Sequence, residues 1–386
     1  MKNIEGPEIF AFLCIFNPMM SVYSSPIPGM DFGTFCVLIF ILYMFKDRQR
    51  KSYKLPVYFS IILVYTILST CIGLTGMLYS DFFSILLRLL RFVVVLIVML
   101  GIGFPTYFDK ELFVKYLGSA TVLVAGYAIF QTLAYYIFGI EVSGIFGPTK
   151  LTLDEDLVPE SAIDLLYRPP SLFWEPSHAS YFMTPYLCYL LFYKGDFKNK
   201  KDLLLVLVVS LGILVTTSGQ GLAVLSICWA YWFLISLKKL NFGLITFAII
   251  LLIVILKHFE VYDTIERVID SSSNFNAVDA RSGGYDMIKA LPVTSLIFGF
   301  GYGNYDETVY YSSFADIIFC TGYIGLIFVG WMYFRLFING VRFQKMLVLM
   351  SLLLMSGGGI YTASYLCLFL PILFYRKWEP KVRNIR

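Results

Sequence analysis

The chain has 386 residues, of which 58% are hydrophobic, 18% aromatic and only 15% charged. A mean hydropathy of +0.75 excludes a soluble domain, because that much apolar surface needs lipid around it rather than a single protein core. The net charge of +4 is dispersed in short basic clusters between apolar runs, which excludes a nucleic-acid-binding patch and points to membrane orientation instead.

Apolar runs of about 16 to 25 residues predict spans near 8–23, 30–45, 55–77, 82–104, 114–139, 179–193, 203–218, 220–237, 242–257, 312–334, 346–358 and 360–375. The expected fold class is therefore an all-α polytopic integral membrane protein with about 12 transmembrane helices, in which residues 1–386 form one membrane domain. The first run, EIFAFLCIFNPMM, is headed by Glu5 and Glu8 rather than by basic residues, and no small-residue cleavage site follows it, so it reads as a retained span. With the N-terminus inside, the inner segments collect most of the 30 Lys and Arg residues. The positive-inside rule then places both termini in the cytoplasm. All seven cysteines fall in or beside apolar runs, where a thiol behaves as a small hydrophobe, and no disulfide or zinc spacing is visible.

Arg88 and Arg91, in FFSILLRLLRFVVVL, sit three apart and share one helix face. From an outer boundary near Phe82 they lie roughly 9 to 14 Å deep. Charge at that depth is costly and normally faces a polar cavity or a paired anion. Snorkelling to the surface is the alternative for Arg88 and suits Arg91 less well.

Two outer connections are long, 140–178 and 258–311, and loops of that length at a membrane face are commonly functional. The first contains DED at 154–156, which lacks the ligand spacing of a cation site and reads as a solvated acidic loop. It ends in RPPSLFWEPSHAS, residues 168–180. Pro169, Pro170 and Pro176 oppose a regular helix there, so the expectation is a stiff extended stretch presenting Arg168, Glu175 and His178 outside the span near Ala179. A guanidinium suits two phosphate or carboxylate oxygens at once, and glutamate and histidine can move protons. The alternative is a structural ion pair between Arg168 and Glu175 that pins the loop, with His178 as an interfacial hydrogen-bonding group.

TTSGQGLAVL (216–225) predicts a tight helix–helix corner, with Gln220 a candidate contact for a sugar hydroxyl. In the second long loop, GFGYGNY imitates a dinucleotide fingerprint but lacks the βαβ context that one requires. Its glycines Gly299, Gly301 and Gly303 either turn the backbone beside a ligand or break a re-entrant segment. Tyr302 and Asn304 are candidate substrate contacts, and Arg281 adds an outward cation to Arg88, Arg91 and Arg168. Phe173, Trp174 and Tyr305 offer flat faces for sugar rings. Two distant histidines and no Cys/His cluster give no site for a catalytic transition metal.

At these residues the chain resembles a known family. RPPSLFWEPSHASYFMTPYL is similar to the Arg-x-x-x-x-Phe-x-Glu-Pro-(Ser/Ala) stretch of bacterial O-antigen and capsule repeat-unit polymerases, called Wzy. TTSGQGLAVL resembles that family's Ser-rich turn, and GFGYGNY with SSFADIIFCTGYIGLIF resembles its Gly-rich loop end and following span. The resemblance implies a GT-C-like glycosyltransferase in the bacterial inner membrane, related to the O-antigen ligases. It would transfer a growing glycan from undecaprenyl diphosphate to a new lipid-linked repeat unit on the periplasmic face, without cofactor or metal, alongside a chain-length regulator. Carried over by position, Arg168 and Arg281 match the family's loop arginines and Glu175 its motif glutamate. Glu175 is then the first candidate for the general base and His178 the second. The related ligases carry a histidine where this chain has Tyr310 and Tyr311, which counts against ligase activity. A flippase or other transporter is the alternative of a different class, and the confinement of intramembrane charge to one outer half-span counts against it.

Overall fold

A computed structural model describes residues 5–27, 30–46, 56–76, 80–145, 167–195, 199–236, 277–304 and 309–378, with side chains from Gly283 onward in the segment that starts at 277. The described chain is all-helical, 78% helix with no strands. In chain order the main elements are α1 (Gly6–Met20), α2 (Phe32–Lys46), α3 (Val57–Gly73), α4 (Phe82–Tyr107), α5 (Lys110–Phe138), α6 (Pro176–Tyr189), α7 (Lys200–Val215), α8 (Gly219–Ser236), α9 (Ala277–Lys289), α10 (Val293–Phe298), α11 (Ser313–Asn339), α12 (Arg342–Gly357) and α13 (Ala363–Phe374).

Local chemistry explains where these helices begin and bend. Asp81, Asp109, Asn199 and Ser312 each turn a side-chain oxygen onto an otherwise orphaned N–H of the first turn of α4, α5, α7 and α11. Gly139 closes α5 with φ 65°. Within α4 the backbone widens into π-helical turns over Ile97–Gly103. Pro105, which follows, has no N–H to return to that stretch.

Helices α4, α5, α8 and α11 are long and apolar enough to cross a membrane, and α1, α2, α3 and α13 are shorter apolar helices. The apolar helices mark a membrane protein. The expected count of about 12 spans exceeds what helix length carries. At 1.5 Å per residue the 15 residues of α1 or α2 reach about 22 Å, short of a hydrocarbon core of about 30 Å. Eleven of the expected spans nonetheless correspond to helices; the ninth, 242–257, lies outside the described residues, as do both chain ends.

Helices α6 and α13 form the centre. Every residue of α6 from Ala179 to Tyr189 is buried, and so is every residue of α13 from Tyr365 to Phe374. Around them α1 packs on α2, α5 and α13, while α5 packs on α6 and α7, α11 on α3 and α12, and α12 on α6. Lipid supplies little hydrophobic drive between helices, so close van der Waals approach has to do it. At the α5–α7 contact a carbon added to Gly212 would stand 2.5 Å from the Ala125 Cβ, which makes the absence of a side chain the condition for that approach.

Candidate functional site

One cavity of about 650 Å³ opens beside this central pair. Its wall is built from the end of α1, the start of α2, the first half of α4, residues 173–178, Tyr302 and the connection 359–365 that leads into α13.

The arginines enter from α4. Arg88 and Arg91 both line the cavity, on the one helix face that their spacing predicts. Arg91 Nη1 stands 3.5 Å from Asp31 Oδ2. Asp31 is a buried residue before α2 that also accepts from Thr34 N at 2.7 Å and from Thr34 Oγ1 at 2.9 Å. Arg88 Nη1 donates to Gly303 O at 2.8 Å and to Ser80 Oγ at 3.1 Å. A charge at membrane depth thus meets polar partners and a cavity.

The proton-moving groups enter from α6. Pro176 opens that helix at its first turn with Glu175 as the N-cap residue, so His178 is a helical residue. This corrects the expected extended stretch: proline opposes a helix interior but its fixed φ suits the first position, where its missing N–H costs nothing. Glu175 is exposed and lines the cavity, and its Oε2 accepts from Ser177 Oγ at 2.8 Å. His178 lines the cavity and places Nδ1 2.9 Å from the hydroxyl of Tyr365 on α13. That hydroxyl is also 3.3 Å from the His178 backbone oxygen.

The glycine segment is a structural brace that delivers one side chain. At Gly322 (φ 66°) α11 breaks its helical geometry, and the carbonyls freed just before it accept from the loop: Phe300 N to Phe319 O at 2.8 Å and Gly301 N to Cys320 O at 2.9 Å. Gly299, Gly301 and Gly303 all have positive φ, which only glycine adopts readily. The loop therefore turns against protein backbone and sends Tyr302 into the cavity, where its ring stacks on Phe92 with centroids 4.2 Å apart.

Of the residues singled out in the sequence, seven meet in this cavity: Arg88, Arg91, Phe173, Trp174, Glu175, His178 and Tyr302. Asn304 is fully buried instead, accepting from Ser80 N at 3.3 Å and donating to Phe300 O at 3.2 Å, so it ties the loop to the entry of α4. Gln220 is hydrogen-bonded to the Tyr181 hydroxyl, and its amide oxygen, correctly oriented, accepts from Gly357 N at 3.0 Å and Gly358 N at 3.2 Å. It braces the α8 corner against the SGGG break. Arg168 is exposed on the stretch leading to α6 and is not part of the cavity wall. Arg281 falls within α9 and its side chain lies outside the described residues, as do Tyr305 and the 154–156 acidic run. Among the described residues no group of three or more His, Cys, Asp or Glu side chains is placed to hold a metal ion.

Sequence reading missed Asp31, Asn17 and Tyr365, all of which line the cavity. Asp31 carried a signal, since an aspartate just before an apolar run is a helix cap. Its pairing with Arg91, 60 residues away, carried none. Tyr365 is one of 28 tyrosines, and only its place on the central helix distinguishes it.

Among known proteins, no family model, no curated protein and no solved structure matches the chain.

Proposed function

We propose that the chain is a polymerase of lipid-linked glycan repeat units. It would move a growing oligosaccharide from undecaprenyl diphosphate to the non-reducing end of a new lipid-linked unit, at the periplasmic face of a bacterial inner membrane. The observation that carries this reading is the convergence of two α4 arginines with Glu175 and His178 on one cavity of about 650 Å³. That volume is within the range that holds a sugar-sized ligand.

The chemistry follows from what the reaction needs. As the glycosidic bond to diphosphate breaks, negative charge gathers on the leaving oxygen. Guanidinium groups held in place by Asp31, Ser80 and Gly303 stabilise that charge more in the transition state than in the ground state. The acceptor hydroxyl must lose a proton, and the carboxylate of Glu175 or the imidazole of His178 stands on the same wall to take it. Tyr302 and Trp174 present aromatic faces to a sugar ring in the same space. In this reading the bundle is GT-C-like with both termini cytoplasmic, Arg168 and Arg281 serve the diphosphate from the outer loops, and a chain-length regulator is a partner.

The test is a gel of surface polysaccharide from a strain lacking the gene, beside the same strain complemented. Core carrying a single repeat unit, with a ladder restored on complementation, is the expected outcome. Bare core with polymer left on the lipid carrier would make the chain a ligase, bare core with single units held inside would make it a flippase, and an unchanged ladder would end the glycan reading altogether.

A further inference from the structure

We propose that Tyr365 locks His178 in the tautomer that carries its proton on Nδ1, so that Nε2 presents a lone pair to the cavity and acts as the general base. This rests on the polymerase reading for its substrate, but the tautomer itself rests on geometry alone.

The Tyr365 hydroxyl owns one proton and meets two groups of the same residue. One is the His178 backbone oxygen at 3.3 Å, which can only accept; the other is Nδ1 at 2.9 Å, which can donate or accept. Both contacts are hydrogen bonds in one arrangement only. The hydroxyl donates to the carbonyl, and its oxygen accepts from Nδ1–H. If the hydroxyl instead donated to Nδ1, two oxygens would face each other at 3.3 Å with no proton between them. In the neutral imidazole a proton on one ring nitrogen leaves the other bare, so in that state Nε2 is unprotonated. It has no protein partner among the described residues, it is not shut off from solvent, and its ring lines the cavity.

The ring is also held in place. Tyr181 and Tyr365 flank it with centroids 5.5 and 5.6 Å away. Tyr181 is in turn tied to Gln220, which grips the Gly357–Gly358 turn that precedes α13. Tyr365 is thus a positioning residue, and Gln220, picked out in the sequence as a sugar contact, supports the same imidazole from one residue further out. A tyrosine orienter differs from a carboxylate in adding no charge. Glu175, at the head of the same helix, supplies the negative charge that favours the imidazolium once formed.

The step balances without another reactant. Nε2 takes the proton of the acceptor hydroxyl while that oxygen's electron pair forms the new bond to the anomeric carbon. The bond from that carbon to the diphosphate oxygen breaks, and its electron pair leaves on the diphosphate. The imidazolium then returns the proton to water.

The chain has only two histidines, His178 and His258, so nitrogen-15 histidine labelling of the full chain in lipid gives two imidazoles, and His258→Gln leaves one. The expected spectrum shows Nδ1 protonated and Nε2 bare in the absence of any substrate, with Tyr365→Phe shifting the ring to a mixture of tautomers. An Nε2-protonated ring in the wild-type chain would overturn the inference, and so would a Tyr365→Phe ring still wholly in the Nδ1–H form. In the ladder assay His178→Gln is expected to slow chain growth by about 10²- to 10⁴-fold, and full-length polymer from that variant would refute the base assignment. The spectrum needs no glycan, so it can fail while the gene-deletion ladder still supports a polymerase, and the reverse outcome is equally readable.

Discussion

Asp31 is asked to do two things by its position. It caps α2 through Thr34 N, and it faces Arg91 across 3.5 Å with a side chain that is 9% exposed. Removing the Asp31 charge takes away the carboxylate that faces Arg91. The two roles separate by substitution. Asp31→Asn keeps a good cap but loses the charge, whereas Asp31→Ala loses both, so thermal unfolding of the purified chain should fall further for alanine, by about 1 kcal/mol for the cap. Equal loss in the two variants would mean that the cap contributes nothing and that the charge on Arg91 alone is at stake. At the same scale, Arg88 Nη1 alone serves both Ser80 and Gly303, and the planar fork leaves further donors directed elsewhere, which an ammonium on a flexible stem does not reproduce.

At the scale of elements, the loop 299–303 and the broken helix α11 complete each other. The kink at Gly322 leaves carbonyls without helical partners, and the loop's N–H groups reach them because Gly299 and Gly322 carry no Cβ where the two backbones meet: an added carbon would stand 2.3 Å from Cys320 O or 2.2 Å from Ile297 O. A carbon added at Gly301, whose φ is 94°, would stand 2.9 Å from the Thr70 Cα of α3. Gly301→Ala therefore combines a left-handed backbone with a clash against another main chain, and should cost about 1–3 kcal/mol. Gly330 in the second half of α11 has nothing within 4 Å of an added carbon and no unusual φ. Gly330→Ala should leave the melting temperature unchanged or raise it slightly, since alanine restricts the unfolded chain at no cost to the native one. Equal melting temperatures for the two variants would contradict the bracing role. Loss of the brace also reaches the cavity, because Tyr302 and the anchor of Arg88 ride on the same loop.

For the whole molecule, the pattern of basic residues expects both chain ends on one side of the membrane, the cytoplasmic one. Reporter fusions at each terminus check this: activity of a cytoplasm-only reporter at both ends is the expected result, and opposite sidedness would require an odd number of crossings and a revised span count. Apolar run length and loop charge depend on the chain alone, and they determined that the protein is helical and membrane-embedded. They also marked Arg88 and Arg91, because charge at membrane depth is costly wherever the fold puts it, while the long outer loops pointed to Arg168, Glu175, His178, Arg281, Tyr302 and Asn304. Sequence could not decide how many helices cross, since a 15-residue apolar helix such as α1 and a full span share the same composition. Nor could it assign partners, because hydrogen bonds across the bundle join residues remote in the chain: Asp31 to Arg91, Gln220 to Tyr181, and Tyr365 to a histidine 187 residues away. Those pairings join α2 to α4, α8 to α6 and α13 to α6, and only the tertiary structure turned a list of polar residues into a cavity with two anchored cations.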